Sequence, residues 1–264
     1  MNRIKKILLA FLGEKRYLQW LAQSFQPLYR WGWLGKSYQD IYFLRHILRP
    51  GYYCLDIGAH LGYYTLEMAR LVGPLGRIFA IEPISKFHNT LQGLLLRKSF
   101  SQVTLFRYAL GGQGEEVQMG IPRVGGMKKF AYARVLDQDS GLEFVETEQV
   151  PNRTGDRLFG DLPRLDFIKC DVEGLEVPVF GSMMAVLRQH HPIILCELAD
   201  RGERIRLGEM LSPLGYRAYF LAGGELDPLD LDSEIRPLAH NHYFIPEGRL
   251  DGLPIFRKKE SAHA

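Results

Sequence analysis

Four stretches of this 264-residue chain set a carboxylate directly behind an apolar run: Asp56 in "CLDIGAHLG", Glu82 in "FAIEP", Asp171 and Glu173 in "IKCDVEG", and Glu197 in "IILCEL". A charge that closes a buried strand is expensive to desolvate, so four such placements point to ligand chemistry. Asp171 first, then Glu173 and Glu197, are candidates for a general base, or for groups that orient a hydroxyl nucleophile. The same three oxygen donors would suit Mg²⁺, which could acidify a hydroxyl in place of a tuned base. No fuller ligand set accompanies them, so a metal stays unsupported and no metal-ligating residue is assigned.

Asp56 precedes a turn through Gly58 and Gly62, with Ala59, His60 and Thr65 completing the segment. A pyrophosphate site asks for G-x-G-x-x-G, so that a helix N-terminus can cradle the anion. Here the glycines stand four apart and the middle one is absent, while Asp56 would repel pyrophosphate and favour a cation. Glu82 falls at the end of the next apolar run, the position from which a carboxylate accepts hydrogen bonds from ribose hydroxyls. The two carboxylates together describe an adenosine-containing cation, and S-adenosylmethionine has that character. The plainer alternative is that Asp56 caps the following helix and the glycines only turn the chain.

These residues need a scaffold that brings strand ends together. From Gly51 onward short apolar runs alternate with amphipathic helical segments, the pattern of an α/β fold with a parallel sheet. Strands are expected over "YYCLDIGA", "GRIFAIEP", "QVTLFRYALG", "LDFIKCDVEG", "PIILCEL", "YRAYFLAG" and "HNHYFIP". Helices are expected between them, including one that Ser85 could cap and one over "LEVPVFGSMMAVLRQHH". Residues 49–250 form this main domain, and 251–264 a tail. The rhythm breaks at 112–161, an irregular or antiparallel insertion between the third and fourth strands. Residues 1–48 form an N-terminal helical extension of two or three helices, broken by Pro27 and by "WGWLGK". Its first helix could cap the main domain or lie on an anionic membrane surface through residues 1–20.

Composition narrows the function classes. With 46% hydrophobic and 24% charged residues the chain can bury a sizeable core. A net charge of +3 is far from the basic balance of a nucleic-acid binder. The excess sits in the first 40 residues, where Arg3, Lys5, Lys6, Lys15, Arg16, Arg30 and Lys36 face only Glu14 and Asp40. Cys54, Cys170 and Cys196 all fall in core runs, as expected of reduced thiols in a cytoplasmic protein. The apolar run after the basic start is followed by Glu14, Lys15 and Arg16 instead of a cleavage site, which argues against a secretory signal.

"LDIGAHLGYYTLEMARLVGPLGRIFAIEP", "YALGGQGEEV", "VPNRTGDRLF", "LDFIKCDVEGLEVPVFGSM" and "PIILCEL" follow one another in this order. Over Tyr53 to Leu198 the chain resembles the FkbM family of S-adenosylmethionine-dependent methyltransferases. The resemblance implies a Rossmann-like class I methyltransferase fold, with a seven-stranded, mostly parallel sheet, helices on both faces and a reversed final hairpin. It also implies O-methyl transfer, often to a hydroxyl of a sugar, glycan or natural product. The family's "ALG" run puts Ala109 beside the adenine ring, at the end of the third strand. Two departures stand out: His60 occupies a position that is usually asparagine, and "TGD" at 154–156 replaces "TLD". The other readings are a nicotinamide-dependent oxidoreductase, which Asp56 and the missing glycine disfavour, and a non-catalytic cofactor-binding module held to membrane or partner by its N-terminal helices. Oligomeric state is not legible.

Overall fold

The computed structural model describes residues 2–31, 33–35, 38–111, 114–136, 141–198, 200–232 and 241–254. Parts of "WGWLGK", the first residues of the 112–161 insertion, the start of "HNHYFIP" and residues 255–264 of the tail lie outside the described residues. The chain opens with α1 (Asn2–Arg30) and α2 (Gln39–Ile47). The helical path of α1 breaks at Gly13, whose φ of 71° and ψ of 161° are non-helical, and runs through Pro27. The break expected at Pro27 is therefore at Gly13, the residue with the least steric objection to that backbone.

The main body follows as β1 (Tyr53–Ile57), α3 (Tyr63–Val72), β2 (Arg77–Ile81), α4 (Ser85–Lys98) and β3 (Val103–Phe106). Then come β4 (Ala109–Leu110), β5 (Glu116–Val124), β6 (Met127–Lys128), β7 (Arg134–Val135), β8 (Glu143–Arg153) and α5 (Gly155–Phe159). The rest is β9 (Phe167–Cys170), α6 (Glu176–Gly181), α7 (Met184–His190), β10 (Ile193–Glu197), α8 (Arg201–Leu211), β11 (Tyr216–Ala222), β12 (Glu225–Pro228) and β13 (Asn241–Pro246). The single helix expected over "LEVPVFGSMMAVLRQHH" is two, α6 and α7.

The main sheet has eight strands in the order β12-β11-β13-β10-β9-β1-β2-β3. Strands β3, β2, β1, β9 and β10 run parallel, and β13 lies antiparallel between β10 and β11. This is the expected architecture with one strand more, because β12 folds back on β11. Cys54 to Ile57 and all of β9 are buried, as strands covered by helices on both faces must be. Free thiols Cys54, Cys170 and Cys196 are buried in this core.

The insertion is ordered: β8 pairs antiparallel with β5, β4 and β8 pair in parallel, and β6 and β7 complete a five-stranded sheet. Ala109 is consequently not on the third strand. It lies on β4, opposite Asn152, buried in a cluster with Ala59, Phe87 and Phe130. Ser85 caps nothing with its side chain; its hydroxyl and N–H both donate to Glu148 on β8.

The second half of α1 buries Tyr17, Leu18, Ala22, Phe25 and Tyr29. The Phe25 ring stacks on Tyr63 at 3.9 Å, and the Tyr29 hydroxyl donates to Glu67 of α3 at 3.0 Å. On α2, buried Asp40 accepts from Tyr243 at 2.7 Å and from Asn241 at 2.8 Å.

Candidate active site

Strand order reverses beside β1: the chain proceeds to β2 and β3 on one side and returns to β9 and β10 on the other. The carboxyl ends of strands at such a switch point leave a crevice for ligands. Register fixes what meets there. Ile57 is opposite both Ile81 and Cys170, and Cys170 is opposite Cys196. The next residues in each chain are Gly58, Glu82, Asp171 and Glu197, so four distant segments of sequence end side by side.

The first turn is held by its own backbone. Gly58 and Ala59 donate to the Ile81 carbonyl at 3.0 and 2.9 Å, and the His60 N–H donates to Glu82 Oε2 at 2.8 Å. Gly58 has φ +80°, and a Cβ there would come within 1.8 Å of the Asp171 carbonyl oxygen. Gly62 has φ +83°, and a Cβ would meet Leu91 of α4 at 2.4 Å. Both glycines are thus required by close packing of the protein on itself, a reason that spacing alone did not reveal. His60 adopts φ 48°, a region where Asn, Asp and His are enriched. Its ring lies 4.4 Å from Phe87, and its buried Nε2 has no hydrogen-bond partner. Burial pulls its pKa down to about 4, so the ring is neutral.

Asp56 is fully buried, and its Oδ2 accepts from the Thr65 hydroxyl at 2.5 Å. Thr65 therefore braces Asp56. The other oxygen, Oδ1, is buried without a hydrogen-bond partner, an open acceptor beside the switch point. Lys169, which sequence reasoning passed over, changes the electrostatics. Its Nζ donates to the Gly58 carbonyl at 3.1 Å and sits 3.3 Å from Asp171 Oδ2, 3.8 Å from Asp56 Oδ1 and 5.2 Å from the Tyr64 ring centre. A lysine inside the buried run "DFIKCDV" was the available signal, since lysine is almost never fully buried unless paired. Its carboxylate neighbours hold it protonated against the cost of burial. Burial lifts the Asp56 carboxyl above its ordinary value, with Lys169 and Thr65 opposing.

Glu82 is 4% exposed, and its two oxygens accept from the backbone N–H groups of His60 and Ile84, each at 2.8 Å. Burial raises its pKa to about 7. Glu197 is likewise lifted to about 7 by burial and by the Asp171 charge, with Lys169 opposing. Glu173, at φ 59°, is lifted to about 7 by burial and by Asp171, although Arg134 of β7 pairs with it at 2.9 Å. The turn amides of Val172 and Gly174 donate to Glu176, which leaves Asp171 to face Lys169. Arg134 also lines a groove of about 470 Å³ with Pro122, Val124, Tyr132 and Leu142. Among the described residues no group of three or more metal-ligating side chains is assembled.

An FkbM methyltransferase domain matches residues 56–241. The chain belongs to the FkbM methyltransferase family. No curated protein matches it in sequence. Among solved structures, the FkbM methyltransferase of Methylobacillus flagellatus is 20% identical with a TM-score of 0.50, and the match covers 78% of this chain and 47% of that one. The chain thus spans about half the length of that relative, which shares its fold. A Thermotoga maritima S-adenosylmethionine-dependent O-methyltransferase is 14% identical, with coverage of 84% and 66% and a TM-score of 0.44. Aeropyrum pernix fibrillarin, solved with natively bound S-adenosylmethionine, is 13% identical, with coverage of 75% and 67% and a TM-score of 0.43.

The residues present fit S-adenosylmethionine, the methyl donor that the family resemblance implies. Asp56 Oδ1, a buried acceptor with no hydrogen-bond partner, would receive the amino group, and Glu82 would turn the remaining lone pairs of a fixed carboxylate to the ribose hydroxyls.

Proposed function

We propose that this protein transfers the methyl group of S-adenosylmethionine to a hydroxyl oxygen of a small molecule, sugar or glycan, with Glu197 accepting the hydroxyl proton. The observation that carries the reading is the row of carboxylates created by register at the ends of β9 and β10, and above all the state of Glu197. It is poised near neutrality, and no hydrogen bond among the described residues engages its carboxylate. A general base is most effective when its pKa lies near the working pH. Asp171, favoured by sequence reasoning, is turned to Lys169 and is better suited to orient the acceptor hydroxyl. Glu173, tied to Arg134, stands at the rim where the β5–β8 sheet meets the site.

When bound, the cofactor supplies an electrophilic methyl on a positively charged sulfur. The chain's task is to hold a hydroxyl at near-attack distance and remove its proton. More carboxyls than cations surround the crevice, and sharing protons near pH 7 lets them do so without full mutual repulsion. The groove lined by Arg134 and Tyr132 has volume enough for a saccharide unit and supplies an aromatic ring and hydrogen-bond donors.

Comparative mass spectrometry of glycans and small metabolites from cells with and without the protein tests the reading. A species heavier by one methyl group, on oxygen by fragmentation, is the expected result. Methylation on nitrogen or carbon would overturn it.

A further inference from the structure

We propose that the outward face of α1 and the turn after it form a membrane-binding surface that seats this enzyme on a bilayer carrying anionic lipid. The chain has three tryptophans, Trp20, Trp31 and Trp33, all on the N-terminal extension and 47%, 65% and 70% exposed. Ile7 and Phe11, one helical turn apart, are 66% and 86% exposed. Large apolar side chains are costly to leave in water, and a contiguous exposed set marks an interaction site.

Helical spacing places two of the indoles together. Trp20, Pro27 and Trp31 differ by seven and eleven residues, close to whole numbers of 3.6-residue turns, so they form one stripe. The opposite stripe of Leu18, Ala22, Phe25 and Tyr29 is buried against the enzyme, and Leu8, Leu9 and Leu12 pack inward before the Gly13 break. The helix is therefore apolar on its protein side and carries exposed indoles on its outer side. The Trp31 and Trp33 rings lie 5.2 Å apart, continuing the patch beyond the helix end.

Charge selects the occupant. The only two acidic residues among the first forty are turned inward: Glu14 accepts from Lys86 and Lys128, and Asp40 is buried under Tyr243 and Asn241. Lys15 and Arg16 are exposed. The exposed residues of α1 and of the turn after it thus offer indole rings, apolar side chains and positive charge, and neither carboxylate of the first forty residues is among them. Indoles settle at the headgroup level, and basic residues are drawn to anionic lipid. A second copy of the chain would bring like charges together and meets this face poorly. Among the described residues no helix is long and apolar enough to cross a membrane, so the contact is interfacial.

Tryptophan emission reports on this patch alone, because all three indoles are in it. The full chain is titrated with vesicles of phosphatidylcholine, with and without one third phosphatidylglycerol. Anionic vesicles should shift the emission to the blue and carry the protein down on sedimentation. Lys15→Glu with Arg16→Glu should weaken partition roughly tenfold or more. Trp20→Ser with Trp31→Ser should abolish the shift while leaving S-adenosylmethionine affinity unchanged, which shows the fold intact. Failure to bind either vesicle, equal binding to both, or a dimer with already blue-shifted emission in the absence of lipid would overturn the proposal.

Discussion

The proposed contact of Glu82 with the ribose makes the affinity for S-adenosylmethionine depend on pH in a way that can be calculated. Its carboxyl is buried, each oxygen already accepts one backbone N–H, and its pKa stands at about 7. Ribose hydroxyls must use the lone pairs that remain, and a proton on either oxygen removes one of them. A hydrogen bond to a charged acceptor is worth about 1.5–3 kcal/mol, so the protonated enzyme should bind ~10- to 100-fold more weakly. Affinity should rise through the range around pH 7 and level off above pH 8, with about half a proton released on binding at pH 7. Calorimetric titration from pH 5.5 to 8.5, in two buffers of different ionisation enthalpy, measures both quantities. S-adenosylhomocysteine, which lacks the positive sulfur, should show the same dependence, because the proposed Glu82 contact is at the ribose end. The unliganded protein carries the opposite sign. A folded-state pKa raised from 4.5 to about 7 means that the native state holds the extra proton, so this group's contribution to stability declines as pH climbs through that interval, by about 3 kcal/mol in all. An affinity flat from pH 5.5 to 8.5 would refute the reasoning. So would a dependence seen with S-adenosylmethionine and missing with its demethylated product, which would place the titrating group near sulfur.

Glu197→Gln should lower kcat by at least ~100-fold and erase the limb of kcat that rises toward pH 7, as stopped assays across pH would show. Asp171→Asn should raise KM for the acceptor and lower kcat by about tenfold, with the cofactor dissociation constant changed by less than about threefold in calorimetry. Gly58→Ala should destabilise the protein by about 2–4 kcal/mol in urea melts, because its Cβ has no room beside the Asp171 carbonyl. Gly51→Ala, at φ +84° with open space around it, isolates the backbone cost alone, about 1–2 kcal/mol.

The main sheet was legible because β1, β2, β9 and β10 are short apolar runs bounded by turns, and because a parallel sheet places every strand's carboxyl end on one side. That geometry let Asp56, Glu82, Asp171 and Glu197 be gathered from sequence before any contact was known. What escaped were facts set by partners distant in sequence. Lys169 lies within the "IKCDVEG" run, yet its role depends on its facing Asp56, 113 residues away. Ala109 reads as a continuation of β3, but two intervening residues turn the chain so that it pairs with Asn152. Ser85 has the look of a helix cap, and Glu148 on the inserted sheet claims it instead.

The stacking of Phe25 on Tyr63 and the bond from Tyr29 to Glu67 join the leading helix to the element that opens directly behind the Asp56 turn. A truncation that began the chain near residue 49, where the sequence changes rhythm, would strip the cover from α3 and loosen the brace that Thr65 gives to Asp56. The first forty-eight residues are thus a flying buttress: they stand outside the vault, and the keystone shifts when they are taken away.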